Sequence, residues 1–307
     1  MGCFCSKKIV TINGERYYEI DQLGEGGFST IMLAQAIHSC KYYAIKRIIC
    51  HDLDDQDIGL KEVEYYGLVK HPNIIECVDS SLNASCQPGA NFMSEVLIVL
   101  PYYKKGTLQN ELDLRRIAMD HMPATEILSL FLQICEGVKA FHEAVPEPLA
   151  HRDLKTANIA LTDDNKPVII DLGSVAPARV KVSGSCAAHR LQDVASERCS
   201  MPYRAPELFN VESHCSIDER TDIWSLGCIL YAMCYFKSPF DAVYERGDSV
   251  ALAVMSGVMT FPKSSIYNEE IHNLISYMLK VNPVERPYIY DVIQRTQDVY
   301  RKLEGNV

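Results

Sequence analysis

The sequence has no excess of positive charge. Its 307 residues carry 30 lysines and arginines against 40 aspartates and glutamates, a formal net charge of −10. A nucleic-acid backbone demands a basic face, so the charge argues against nucleic acid as the main partner. An anionic bilayer would also repel the chain as a whole. No apolar run approaches the length that spans a bilayer, so the chain is expected to be soluble or anchored rather than spanning. No apolar h-region follows Met1, which excludes a secretory signal. The 12 cysteines include no Cys-x-x-Cys pair, which argues against zinc. They are scattered through a chain too long to need disulfide staples, so reduced cytosolic thiols are expected. Asn83-Ala84-Ser85 fits a glycosylation sequon, but without secretion it is expected to be only a loop. The chain shows neither an internal repeat nor a low-complexity segment.

What is present suits a globular protein of one large domain or two small ones, with 48% hydrophobic and 23% charged residues. From Tyr17 to about Val99 the pattern is one of short apolar segments broken by Gly and polar turns. Tyr42 to Ile49 and Ser94 to Leu100 read as buried strands. Between them, Asp57 to Val69 places Ile58, Val63, Tyr66 and Val69 at roughly helical spacing and stops at the breaker His71-Pro72-Asn73. From Thr107 onward the helices lengthen. Ile127, Leu128, Phe131, Ile134, Cys135, Val138 and Phe141 form an apolar stripe. A strand-rich part and a helix-rich part are therefore expected to meet near Leu100-Pro101-Tyr102-Tyr103, and such junctions favour ligand clefts.

Two segments carry chemistry. His151-Arg152-Asp153-Leu154-Lys155-Thr156-Ala157-Asn158 sets an Asn five residues after an Asp, and Asp171-Leu172-Gly173 adds a second Asp beyond a hairpin. Together they form a two-metal, phosphate-handling constellation. Upstream, Leu23-Gly24-Glu25-Gly26-Gly27-Phe28-Ser29-Thr30-Ile31 is a glycine cluster after a strand. Its backbone can approach phosphates because no side chain intervenes. Ser29 stands where the usual pattern has a third Gly, and Ile31 where it has Val. Tyr43-Ala44-Ile45-Lys46 puts a lysine on the next-but-one strand. Downstream come Tyr203-Arg204-Ala205-Pro206-Glu207 and Asp222-Ile223-Trp224-Ser225-Leu226-Gly227.

This ordered set resembles the eukaryotic protein kinases over residues 17–302. The resemblance implies an α+β, two-lobe fold: a small antiparallel sheet lobe with one helix (17–100), then a large mainly helical lobe (101–302), followed by a tail (303–307). It implies ATP as phosphoryl donor, Mg²⁺ as metal and proteins with Ser/Thr hydroxyls as acceptors. By resemblance Lys46, on the third strand of the lobe, contacts the α- and β-phosphates and is held by Glu62. Glu64 competes for that ion pair, but Glu62 has the family's spacing to His71-Pro72-Asn73. Ala44, Leu100, Pro101, Tyr102 and Tyr103 join the glycine cluster in holding the nucleotide. Asp153 accepts the substrate proton, and Asn158 and Asp171 hold metal. Lys155 neutralises the γ-phosphate and, with Ser200, marks the Ser/Thr form of the loop. Leu172 replaces a Phe in a packing position, and Glu207 and Arg286 are expected to form a buried ion pair. The activation segment, Asp171 to Glu207, is long. Ser183, Ser185, Ser196 and Ser200 are candidate phosphosites in it, and Arg152 could answer a phosphate there. The alternatives are a pseudokinase scaffold, which usually lacks residues of the Lys46, Asp153 or Asp171 type, and a small-molecule kinase. The Ala205-Pro206-Glu207 segment argues against the latter.

Residues 1–16 are expected to be a lipid-anchoring leader, with no separate regulatory domain. Met1-Gly2-Cys3-Phe4-Cys5-Ser6 fits the N-myristoylation pattern. One myristoyl chain gives an association constant of only about 10⁴ M⁻¹. Lys7 and Lys8 add roughly 1 kcal/mol each near an anionic leaflet. The net-acidic chain therefore needs more, and Cys3 and Cys5 are placed for palmitoylation. The glycine cluster, Leu100 to Leu108 and Ser213 to Asp222 extend the resemblance to the numb-associated kinase family. That membership implies a helix inserted late in the activation segment, autophosphorylation, and residence on the cytoplasmic face of Golgi-type or perinuclear membranes with a cytosolic pool. Oligomeric state is left open.

Overall fold

The computed structural model describes residues 8–26, 29–84 and 93–305. The chain divides into two compact units, residues 1–70 with 75–104, and residues 71–74 with 105–307. The first is a six-stranded antiparallel sheet with one helix. Its elements are β1 (Ile9–Ile12), β2 (Glu15–Glu25), β3 (Ser29–Ala36), β4 (Tyr42–Cys50), α1 (Leu53–Leu68), β5 (Asp79–Ala84) and β6 (Ser94–Pro101), in sheet order β1-β2-β3-β4-β6-β5. Strand side chains alternate between faces. The inward ones, Val10, Ile12, Tyr17, Ala34, Ala36, Ile45, Leu97 and Val99, make one core cluster, with Tyr43 packed on it.

Three sequence expectations change here. Residues 9–12, assigned to the leader, are a strand of the sheet. Four residues with only Val10 and Ile12 turned inward give too short an alternation to read from sequence. Lys46 consequently lies on the fourth strand of the unit, not the third. Helix α1 starts four residues before the expected Asp57, because Asp52 caps it by accepting the Asp55 N–H at 2.9 Å. Its buried face is Gly59, Glu62 and Tyr66, while Ile58 is exposed. Gly59 sits tightly at this face: a Cβ there would stand 3.0 Å from a Val96 methyl, which would have to shift to admit it.

The second unit is mainly helical. It contains α2 (Leu108–Ala118), α3 (Ala124–His142), β7 (Leu149–Ala150), β8 (Ile159–Leu161), β9 (Pro167–Ile169), β10 (Ala176–Pro177), β11 (Val180–Ser183), α4 (Ser185–Arg198), β12 (His214–Ile217), α5 (Arg220–Tyr235), α6 (Asp241–Glu245), α7 (Val250–Ser256), α8 (Glu269–Met278) and α9 (Ile289–Glu304). All seven residues of the stripe expected in α3 are buried. Helix α5 is buried all round, as a helix through the centre of a core must be. Its Trp224 stacks on Phe240 at 5.8 Å and carries the Arg286 guanidinium 5.4 Å from its ring. Residues 71–74 belong to this unit. Asn73 donates to the Pro167 carbonyl, and its own carbonyl accepts from the Ile169 N–H, both at 2.8 Å. An antiparallel sheet unit with one helix, followed by a mainly helical unit, is the expected α+β architecture. Leu100 and Pro101 end β6, and the first unit continues to Lys104 rather than stopping at residue 100.

Candidate active site

In the first unit the glycine cluster closes the β2–β3 hairpin. Leu23, Gly24 and Glu25 end β2, and Ser29, Thr30 and Ile31 begin β3, with Gly24 opposite Ile31 and Glu25 opposite Thr30. The Gly26 N–H donates to the Ser29 carbonyl at 2.7 Å. Among the described residues no heavy atom lies within 4 Å of where a Gly24 Cβ would stand, so the missing side chain does not serve packing against them. Gly27 and Phe28 lie outside the described residues, as do Gly2, Cys3 and Cys5 of the leader.

Lys46 and Glu62 are both buried, and Nζ meets Oε1 at 2.8 Å and Oε2 at 3.0 Å. The Tyr66 hydroxyl also donates to Oε1, at 3.1 Å. Glu64, the competing partner, is exposed. Helical geometry explains the choice, because Glu62 shares the buried face with Gly59 and Tyr66 whereas Glu64 is turned off it. Ala44 pairs with Leu100 in the β4–β6 ladder, and Tyr102 and Tyr103 follow β6. Burial, with Glu76 nearby, pushes the Tyr103 hydroxyl up from its ordinary pKa, so it stays protonated.

In the second unit the segment after β7 gathers the other candidates around one carboxylate. Asp153 Oδ1 accepts the Ser200 N–H at 2.7 Å. Its Oδ2 accepts Lys155 Nζ at 2.9 Å and Asn158 Nδ2 at 3.1 Å. Asn158 Nδ2 also donates to the Asp153 carbonyl at 2.9 Å, and Lys155 Nζ to Ser200 Oγ at 2.7 Å. Four expected site residues thus form a closed network, although Ser200 lies far along the chain. Asp171 follows β9 at φ +67°, and the Gly173 N–H donates to its Oδ1 at 3.3 Å. Leu172 beside it is fully buried.

The donor set fits a hard divalent cation. Both hydrogen bonds of the Asn158 amide use Nδ2, which leaves Oδ1 as the oxygen for a metal, and Asp171 supplies a carboxylate. Among the described residues no group of three or more His, Cys, Asp or Glu is placed to hold a metal by itself. One carboxylate and one amide suit a Mg²⁺-type ion that keeps waters and shares phosphate oxygens, rather than an all-protein cage.

Sequence reasoning missed what holds this segment. Asp222, at the start of α5 and fully buried, accepts the backbone N–H groups of His151 at 2.7 Å and Arg152 at 2.8 Å. It also meets His142 Nε2 at 3.1 Å. Arg152 itself takes φ +64°, a left-handed conformation rare for a side-chain-bearing residue. Burial would push the Asp222 carboxyl up. The His142 hydrogen bond, the neighbouring imidazoles and the Arg152 N–H overcome this and hold it below its usual range. Burial lowers the His151 pKa against the pull of Asp222, Asp153 and Asp171. His151 therefore stays neutral, and its Nδ1 accepts the Asp153 N–H at 3.3 Å. Thr156 bonds Gln109 and also meets the Tyr203 hydroxyl, the latter at 3.1 Å. Asp222 was visible in sequence only as the first residue of a motif; its partners are backbone groups, which leave no mark on residue identity.

The activation segment is tied down along its length. Strand β10 pairs with β7, β11 pairs with β12, and α4 is the inserted helix that the resemblance implied. Arg152 Nη2 donates to the Pro177 carbonyl at 2.7 Å. Ser183, Ser185 and Ser196 are exposed, whereas Ser200 is engaged by Lys155. Burial, and then the Asp153 charge, push the Cys199 thiol up to about 12, so it stays un-ionised beside the network. Arg286 is fully buried and forks onto Glu207 at 2.8 and 2.9 Å.

Comparison with known proteins agrees with this geometry. The protein kinase domain family matches residues 17–296. The chain is 44% identical over 287 residues to serine/threonine-protein kinase 16 of Rattus norvegicus, and 45% identical over 287 to that of Mus musculus. Each alignment covers 94% of this chain and 91% of the relative. It is 30% identical over 319 residues to serine/threonine-protein kinase ppk13 of Schizosaccharomyces pombe, with the same coverage.

Proposed function

The chain belongs to the protein kinase family and is a serine/threonine protein kinase, and from that premise we propose that it is a lipid-anchored member of the numb-associated branch that uses Mg²⁺-ATP and autophosphorylates. The family implies ATP and a divalent metal as well as protein substrates; Mg²⁺ is the reading favoured by the Asn158 and Asp171 oxygens. The observation that carries the catalytic reading is the Asp153 network. Asp153 is held at Oδ1 by the Ser200 N–H and at Oδ2 by Lys155 and Asn158. A carboxylate so fixed can align a Ser/Thr hydroxyl and receive its proton as oxygen attacks the γ-phosphorus. Lys155 would lie against the transferring group, its charge offsetting that of the phosphoryl oxygens. Lys46, locked by Glu62, would hold the α- and β-phosphates, with the Gly24 backbone open to them. Asn158 and Asp171 would hold the metal ion, which when bound would supply positive charge to offset that of the phosphates.

All of Lys46, Asp153, Asn158 and Asp171 are present, which argues against an inert scaffold. Incubating purified protein with radiolabelled ATP tests the catalytic reading. Asp153→Ala and Asp171→Ala are expected to abolish transfer to peptide and to the chain itself while the fold survives. Substantial transfer by contaminant-free Asp171→Ala would sink it.

The anchor is supported by the Gly2, Cys3 and Cys5 pattern. No helix among the described residues is long and apolar enough to cross a membrane. Acylation would place the enzyme on the cytoplasmic face of membranes, Golgi-type by family likeness, with a cytosolic pool. Gly2→Ala is expected to move it to the soluble fraction of lysed cells, and unchanged fractionation would refute the anchor.

A further inference from the structure

One peptide unit joins Cys199 to Ser200, and a charged side chain holds each of its polar groups. The Ser200 N–H donates to Asp153 Oδ1 at 2.7 Å. The Cys199 carbonyl accepts Arg204 Nη2, also at 2.7 Å. A trans peptide points its C=O and N–H in opposite directions, so the guanidinium and the carboxylate face each other across it. Neither helix nor strand fixes this unit. Cys199 (φ −104°, ψ 126°) and Ser200 (φ −62°, ψ 120°) are extended, between the end of α4 and the turn at residues 201–203.

Arg204 is 6% exposed, and a buried cation normally demands an anion. Its side-chain hydrogen bonds among the described residues go to carbonyls, not to a carboxylate. Besides Cys199, Nη2 reaches the Ser196 carbonyl at 3.4 Å. That carbonyl lies in the last turn of α4, where the helix leaves oxygens without partners and favours positive charge. The residue four further on, Ser200, gives its N–H to Asp153 instead of closing the turn. The guanidinium carbon lies 4.9 Å from the Phe209 ring centre, and the buried Nε has no partner among the described residues. Burial pushes the Arg204 pKa down, and the Cys199 thiol and then the Asp153 carboxylate act against this. Cys199 stays un-ionised, so the anion answering Arg204 is Asp153, one peptide away.

We propose that Arg204 is a positioning residue for phosphoryl transfer, holding the Cys199–Ser200 peptide so that its N–H fixes Asp153 Oδ1. The proposal rests on the reading of Asp153 as the base. Lys155 and Asn158 engage Oδ2, whereas the Ser200 N–H engages Oδ1. A cation on the carbonyl oxygen draws electron density from the amide nitrogen and makes the N–H a stronger donor. The two charge-assisted bonds therefore reinforce each other. The same guanidinium closes the end of α4, which ties the inserted helix to the carboxylate.

Steady-state phosphorylation of a soluble peptide by the full chain, with denaturant unfolding in parallel, tests the assignment. Arg204→Met keeps an apolar stem and removes charge and donors. It is expected to lower kcat roughly tenfold or more while KM for ATP stays within about twofold of wild type. Arg204→Lys, which keeps a charge and a donor for the Cys199 carbonyl, should recover much of the loss. Phe209→Leu removes the ring against the guanidinium but none of its hydrogen bonds, so it should lower stability and leave kcat unchanged. A spectroscopic readout serves even where Arg204→Met does not fold. In protein labelled with ¹⁵N-serine, the Ser200 amide proton is identified by its disappearance in Ser200→Thr. It should resonate downfield of ordinary amides and move upfield in Arg204→Lys. Wild-type kcat in folded Arg204→Met, or a Ser200 amide in the ordinary range, overturns the proposal and leaves Asp153 as the base. Equal losses of kcat in Phe209→Leu and Arg204→Met would also overturn it, reducing Arg204 to packing. Substantial transfer by Asp153→Ala overturns the base, and this proposal with it.

Discussion

Asp153 Oδ1 accepts the backbone N–H of Ser200 at 2.7 Å, while Lys155, bound to the other oxygen of the same carboxylate, donates to the Ser200 hydroxyl. The late activation segment is therefore a structural partner of the Asp153 carboxylate, the proposed base, and not only a platform beyond it. Substrate-hydroxyl alignment and the placement of residue 200 rise or fall together.

Ser200→Ala keeps the N–H that orients Asp153 but removes the acceptor for Lys155. We expect kcat for a peptide substrate to fall roughly tenfold, since general acid–base positioning contributes about 10²–10⁴ in all. Ser200→Thr should restore most of it. Steady-state kinetics at saturating ATP provide the check, and a wild-type kcat for the alanine variant would contradict the assigned link.

Lys46 and Glu62 are both removed from solvent, so deleting one leaves the other as a buried, unpaired charge. Glu62→Ala should destabilise the chain by about 3–5 kcal/mol and raise KM for ATP. Glu64→Ala should change neither, its side chain being exposed. Chemical denaturation compared across the two variants distinguishes the pair from its neighbour.

Arg286 donates to Glu207, to the Arg220, Lys280 and Val281 carbonyls, and lies over Trp224. A lysine cannot reproduce that fork. Arg286→Lys is expected to lower stability by about 3 kcal/mol or more. Combined with Glu207→Ala it should cost less than the sum of the two single changes, because both remove the same interaction. Strict additivity in denaturant titrations would speak against a coupled pair.

Burial holds His71, His151 and His272 below the ordinary histidine pKa. Each binds a proton more readily once unfolded. Their stabilising effect is thus fully present above about 6.5 and is lost as pH falls toward their lower folded values. His151, wholly enclosed, carries most of this effect, because solvent screens the partly exposed His71 and His272. Unfolding free energy should drop by about 1 kcal/mol between pH 7.5 and 5.5. A profile that is flat or rises toward acid would be inconsistent with neutral buried imidazoles.

Much of this protein was legible in its sequence wherever a signal is local. The α3 stripe, the β4 and β6 runs, the glycine hairpin and the order of Lys46, Asp153, Asn158 and Asp171 each follow from periodicity or from residue type at fixed spacing. The choice of Glu62 over Glu64 came from the family resemblance, through its spacing to His71-Pro72-Asn73. Tertiary structure decided the rest. Helix α1 turned Ile58 to solvent because its buried face is built on Gly59 under Val96 and on the Lys46–Glu62 pair, neither of which a hydrophobic count can weigh. Residues 9–12 became a strand because Val10 and Ile12 find the core formed by Tyr17, Ala34 and Leu97, partners that only the assembled sheet supplies. Asp222 became the anchor of the catalytic segment through backbone N–H groups, and every sequence has those at every position but proline. Side-chain chemistry is written in the chain; which backbone groups converge on a buried carboxylate is set only when distant elements pack together.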